Sequence, residues 1–324
     1  LDSALDDLSP AGIAAQRRFV VGIQGRIAKL ETASLSKEDA ADLEIIRNNI
    51  ALSLLELDSI QSYNHNPTVY VELAGNALFE CYMLDYAPLE KRFEHIIQRM
   101  QKLPALFEQA KANLVDAPAV WNRVAQEENQ GNIDLIGKTL RPAAPAAQKA
   151  EFDRAAEQAI AALRGFDTFL KGTLAKKTSD WRLGKEKYAR KFQYVLTTGK
   201  TPEQLLAEAE AQLKITREEM AKLAAPQTVP QALDEIAKQH ATPATYLAEA
   251  SRTLQEATAF VRQKNLLTLS SRDNLRVTET PEFIRGIYAV GGFVPAPALE
   301  PKLGAFYWVT PIPKNWTQDR IESK

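Results

Sequence analysis

Leu43, Ile46, Ile50, Leu54 and Leu57 recur at spacings of three and four. Positions three and four apart lie on one side of an α-helix, so this run predicts a helix with one buried face. Ser36 supplies its start, a hydroxyl able to cap the first turn with Asp39 answering three residues later. The stretch 69–84, VYVELAGNALFECYML, is apolar on almost every side and predicts a core helix. Its Met, Leu and Ala favour helix, while Val69 and Val71 keep a strand reading open. Pro88, Pro104 and Pro118 punctuate the helical segments that follow, the last one before a stretch from Val120 to Leu140.

Residues 141–146, RPAAPA, read as a hinge or short linker. A long amphipathic helix comes next, with Phe152, Ala156, Ile160, Leu163 and Phe166 on its apolar face. Thr201, Pro202 and Gln204 mark a sharp helix start, a cap, a first-turn proline and a capping-box partner. Leu205, Ala209, Leu213, Met220 and Leu223 form the stripe this helix is expected to bury. Thr242 and Pro243 repeat the start signal before a helix ending near Lys264. From Leu266 onward helical periodicity fades. LRVTETP alternates like a strand, GGFVPAPALEP reads as a proline-spaced loop, and GAFYWVTP has strand length and aromatic, β-branched content. Thr317 then reads as the cap of a further helix. The expected architecture is mainly α: helical regions 1–140 and 147–265 of one body, then a strand-and-loop element over 266–324.

Composition narrows the function classes. Forty Lys+Arg against 41 Asp+Glu disfavour a strongly basic nucleic-acid binder. A single cysteine, Cys81, excludes an intrachain disulfide framework, and its apolar neighbours read it as a small buried hydrophobe. No run of 18 uninterrupted apolar residues occurs, so no transmembrane segment is expected. The three histidines, His65, His95 and His240, never stand four apart, and each reads as solvent-facing or capping. Neither a GxSxG elbow nor a phosphate-loop or dinucleotide fingerprint is present. The basic run from Lys171 to Lys191 reads as a solvated helix face with carboxylate partners, and Arg182 or Lys185 could hold an anionic substrate group. A nucleic-acid stripe is the weaker alternative there, and no nucleic-acid partner is expected.

The most pointed stretch is 272–316, where charged side chains, aromatics, glycines and prolines crowd together. A strand at 304–310 could pair an extended peptide through its backbone, or be an edge strand packed on the helices. RDNLRVTETPEF, GGFVPAPALEPKLGAFYWVTPIPKNW, DWRLGKEKYARKF and TGKTPEQLLAEAE together resemble the bacterial family catalogued as domain of unknown function 885, across essentially the whole chain.

That resemblance implies a mostly helical, zincin-like peptidase body. The family's hallmark HEAxPGH contains HExxH, whose two histidines bind zinc while the glutamate acts as general base. The resemblance places that signature shortly after PIPKNW…RIESK, where this chain stops. It therefore implies the amino-terminal part of a longer peptidase, with no catalytic or metal residue of its own, no cofactor of its own, and zinc only in the parent protein. Expected partners are a peptide-like substrate and the missing carboxyl-terminal region, and the resemblance implies an exported or periplasmic class for the parent. Carried onto this sequence, Gly304, Ala305, Phe306, Tyr307 and Trp308 would run beside the cleft, with Tyr307 and Trp308 lining it. Arg182, Lys185, Arg272, Asn274 and Arg276 would orient substrate or brace the site. The competing expectation is a non-enzymatic helical scaffold or interaction module.

Overall fold

Helix starts follow the caps. Ser36 accepts a hydrogen bond from the Asp39 N–H at the head of a helix over Lys37–Leu55. Thr201 and Gln204 cap each other reciprocally, at 2.8 and 3.2 Å, ahead of a helix over Pro202–Ala224. The computed structural model describes residues 2–31, 33–269, 274–285, 288–312 and 317. It is mainly α-helical with one small sheet near the carboxyl end. The backbone divides into two units, residues 1–83 with 87–211 and residues 84–86 with 212–324.

The first unit opens with α1 (Pro10–Ile27) and α2 (Lys37–Leu55), which runs into a π-helical turn over Glu56–Ile60 and the short α3 (Ser62–His65). There follow α4 (Thr68–Met83), α5 (Leu89–Met100), α6 (Leu103–Asn113) and α7 (Ala119–Asp134). A second π turn, Leu135–Leu140, leads through α8 (Arg141–Ala143) to α9 (Lys149–Gly172) and α10 (Lys185–Leu196). Ala144 and Pro145 are extended between α8 and a 3-10 turn over Ala146–Gln148, so residues 141–146 include a short non-helical link inside this unit.

The core of the first unit lies where α4 packs on α5 and α7, and where α9 packs on α5, α6 and α7. Phe107 and Phe166 meet there with ring centroids 4.9 Å apart, and Phe93 meets Phe152 at 5.9 Å. All four are fully buried. On α7 a polar face is buried as well. The side-chain amides of Asn122, Asn129 and Asn132 donate to the carbonyls of Leu170, Leu163 and Val71, tying α7 to α9 and α4. On α2 the expected face is only partly buried. Leu43, Ile50 and Leu55 are in the core while Ile46 is 44% exposed. A π turn over Glu56–Ile60 follows directly after Leu55.

The helix over Pro202–Ala224, α11, crosses the boundary between the units. It corrects the expected buried stripe, because none of its residues is buried. Beyond it stand α12 (Val229–Ala237), α13 (Tyr246–Lys264) and strands β1 (Leu275–Glu279), β2 (Gly291–Val294) and β3 (Ala305–Val309). The α12 start, a Thr228–Gln231 capping box with a proline in the first turn, repeats the Thr201 signal. Three residues after Thr242, Thr245 is the cap residue of α13. Strand order is β1-β3-β2, with β1 parallel and β2 antiparallel to β3. Gly291–Val294, expected as loop, is therefore a strand, as its two glycines permit. A side chain at Gly291 would lie 2.3 Å from the Trp308 carbonyl, and one at Gly292 2.4 Å from the Tyr288 ring.

Candidate functional site

The sequence-predicted residues fall into two groups, one in each unit. In the second unit, alternation along β3 sets their roles. Phe306 and Trp308 point into the core of the sheet, with Trp308 edge-on to Tyr288 at 5.7 Å. Tyr307 points the other way. Cross-strand register lines up Val277, Tyr307 and Phe293 on that open face, where Phe293 is 62% and Tyr307 39% exposed. Tyr307 and Trp308, expected to line one cleft, thus lie on opposite faces. Ala305 is half-buried at the head of the strand, its N–H on the Asn274 carbonyl at 3.1 Å.

Both edges of β3 are paired, so an added peptide strand could not lie against it. The outer strands are β1 and β2. Thr310 N–H donates to the Val290 carbonyl at 2.9 Å, which fixes the phase of the β2–β3 ladder. Val290, Gly292 and Val294 then face β3, and the backbone groups of Gly291 and Phe293 point outward. Gly304 turns the chain into β3 with φ 91°, and a Cβ there would meet the Asn274 carbonyl at 2.7 Å. Asn274 braces the same corner by donating to the Pro301 carbonyl at 2.8 Å. Arg276 lies over the Phe306 ring at 4.4 Å. Arg272 and the helix expected after Thr317 lie outside the described residues.

In the first unit a concave pocket of about 200 Å³ gathers residues from three separate stretches of chain. The π turn, a left-handed Gln61 at φ 56° and α3 reverse the chain and carry Ile60, Ser62 and His65 to one wall. Val115 N–H donates to the Asn64 carbonyl at 3.0 Å, setting Asp116 beside His65. His65 Nδ1 and Asp116 Oδ1 are 2.8 Å apart. A carboxylate only accepts, so the Nδ1 proton faces Asp116 and Nε2 is left for another partner. A single parallel bridge, Ala117 to Thr178, lays residues 177–179 against the same segment. Trp121, from α7, and Trp181 supply aromatic wall. Arg182 stacks over Trp181 at 4.5 Å and reaches Asp180 with Nη1 at 3.2 Å. Asp180 is held below the usual carboxylate range, chiefly by the Arg182 backbone N–H and then by its charge. Lys185 stands apart, on a neighbouring hollow at the α10–α11 turn, with Glu203 at 3.4 Å.

The His65–Asp116 pair had no local signal, because its members are 51 positions apart and meet only through the fold. His95, read as solvent-facing or capping, is buried in α5, and His240 Nδ1 meets the Ala241 carbonyl. Cys81 is buried, as its apolar neighbours imply. Glu128 is the other group sequence reading missed. It is 1% exposed, and burial, with Glu72 and Glu127 adding to it, pushes its carboxyl up to about 8. Among the described residues no three His, Cys, Asp or Glu come together as a metal site. No catalytic step is assigned to these residues. No described helix is long and apolar enough to cross a membrane.

A mainly helical chain with one small three-stranded sheet matches a known bacterial class. The family described as bacterial protein of unknown function, DUF885, matches residues 1–323, and the chain belongs to it. The chain is similar to a solved structure described as "a putative lipoprotein of unknown function" from Shewanella oneidensis, with TM-score 0.73 and 24% identity. That likeness covers 99% of this chain and 61% of the other, so the chain spans less than two thirds of its solved neighbour's length. No curated protein matched the sequence.

Proposed function

We propose that this chain is the substrate-holding portion of a zinc-dependent, peptidase-like hydrolase, whose zinc-binding pair comes from sequence outside residues 1–324. An extended peptide would add as a strand to the outer edge of β2, using the backbone groups of Gly291 and Phe293. Its side chains would alternate, one set lying over Phe293 and Tyr307. The observation that carries this reading is the sheet order β1-β3-β2, which leaves β2 as an outer strand beside an exposed aromatic row. The family resemblance supplies the reaction class, and hydrolysis belongs to the parent protein.

A peptide-library assay on the 324-residue chain, with zinc added, tests the reading. The expected result is peptide binding without turnover. Stoichiometric zinc uptake with turnover by this chain alone overturns it, as does failure to bind any extended peptide. A helical interaction module is the second reading, favoured by apolar side chains left exposed on α11: Leu206 at 59%, Leu213 at 49% and Leu223 at 87%. It predicts no peptide affinity at β2.

A further inference from the structure

The first-unit pocket is built from side chains whose wall charges are unevenly committed. Of its two carboxylates, Asp116 is taken by His65 and Asp180 by the backbone and guanidinium of Arg182. The cations are less fully used. Arg182 spends only Nη1 on Asp180, and its Nε and Nη2 form the flat edge that matches a carboxylate in two parallel bonds. Lys187 rests its ammonium on the Ser59 carbonyl at 2.7 Å, a neutral partner. In the same wall the Ser179 hydroxyl is buried and makes no hydrogen bond. Trp121 and Trp181 give the remaining surface apolar, flat faces. A volume of about 200 Å³ suits one terminal residue of a chain rather than a long segment.

We propose that this pocket takes the carboxyl-terminal residue of a peptide, its carboxylate on Arg182 and Lys187 and its apolar side chain against Trp121 and Trp181. The proposal rests on the peptide reading above in taking a peptide, here one with a free carboxylate end, as the ligand. Ser179 would then find its missing partner in the ligand's main chain. The side chain of Arg182 is 65% exposed, so replacing it removes a ligand contact without opening the core.

The test is calorimetric titration of the 324-residue chain with alanyl-alanyl-phenylalanine and with its carboxyl-terminal amide. The free acid should bind at least about tenfold more tightly than the amide, the worth of one charge-assisted pair. Arg182→Ala should abolish that preference, and Arg182→Lys should restore it only in part, because a point charge replaces a fork. Trp181→Ala should weaken acid and amide alike. Equal affinity for acid and amide in the unaltered chain overturns the pocket assignment, as does an acid preference that survives Arg182→Ala. Those results leave the strand-addition reading standing if both peptides still bind. No binding of either peptide sinks both.

Discussion

Two helices of nearly equal length differ sharply in what they bury. Helix α9 has 24 residues and buries Phe152, Ala155, Ala156, Ala159, Leu163, Phe166 and Leu170. Helix α11 has 23 residues and buries none. Both have apolar residues at helical spacing, and both pack enough leucine and alanine to be stable helix formers. The difference is in their neighbours. Three helices, α5, α6 and α7, pack on α9, and its apolar face closes against their aromatic rings. Amphipathic pattern thus fixes which side of a helix could be covered, and tertiary partners decide whether it is.

The largest expected effect separates these helices directly. Phe166→Ala should cost about 3–5 kcal/mol, since it leaves a cavity among Phe107 and Phe169. Leu213→Ala on α11 should stay within about 0.5 kcal/mol. Urea midpoints of the two variants check the contrast, and comparable losses would break it.

A second effect comes from the polar side of the same core. Glu128 has its folded-state carboxyl raised from 4.5 to about 8. Between those values the folded chain holds a proton that the unfolded chain has lost. Stability from this group is therefore fully present below 4.5 and falls as pH rises through about 8. Glu128→Gln should flatten that slope and raise the melting temperature at pH 8, with the gap closing near pH 4.5. Melting curves across pH read it, and an unchanged slope in the variant would contradict the assignment.

Caps come next in size. Thr201→Ala should cost about 1 kcal/mol, felt mainly as faster amide exchange in the first turn of α11. The smallest effect belongs to the exposed Lys185–Glu203 pair, where Lys185→Ala should change stability by less than about 0.5 kcal/mol at moderate salt.

Legibility in the sequence followed local chemistry. The Ser36 and Thr201 caps, the core helix at 69–84 and the strand at 304–310 rest on short-range rules, and each is present. The α7 helix was harder. Its run NQGN looks like solvent-facing polarity, yet Asn129 and Asn132 are buried because each amide finds a helix carbonyl to bond. The Gly291–Gly292 pair suggests a turn, and only the close approach of the Trp308 carbonyl and the Tyr288 ring explains two glycines in a strand. The sites divided the same way. Arg182 was legible as a cation beside tryptophan, whereas its pocket depends on His65 and Asp116 meeting through the π turn and α3. Which of Phe306, Tyr307 and Trp308 faces outward needed the phase of the strand, which a one-residue slip would reverse.

The most direct test of a substrate-holding chain is an amide NMR titration of the 324-residue protein with an extended apolar peptide, run with zinc present. The account predicts shifts concentrated at the Gly291 and Phe293 amides, lost in Phe293→Pro, with the peptide recovered intact. Shifts absent from β2, or peptide cleaved by this chain, would contradict it.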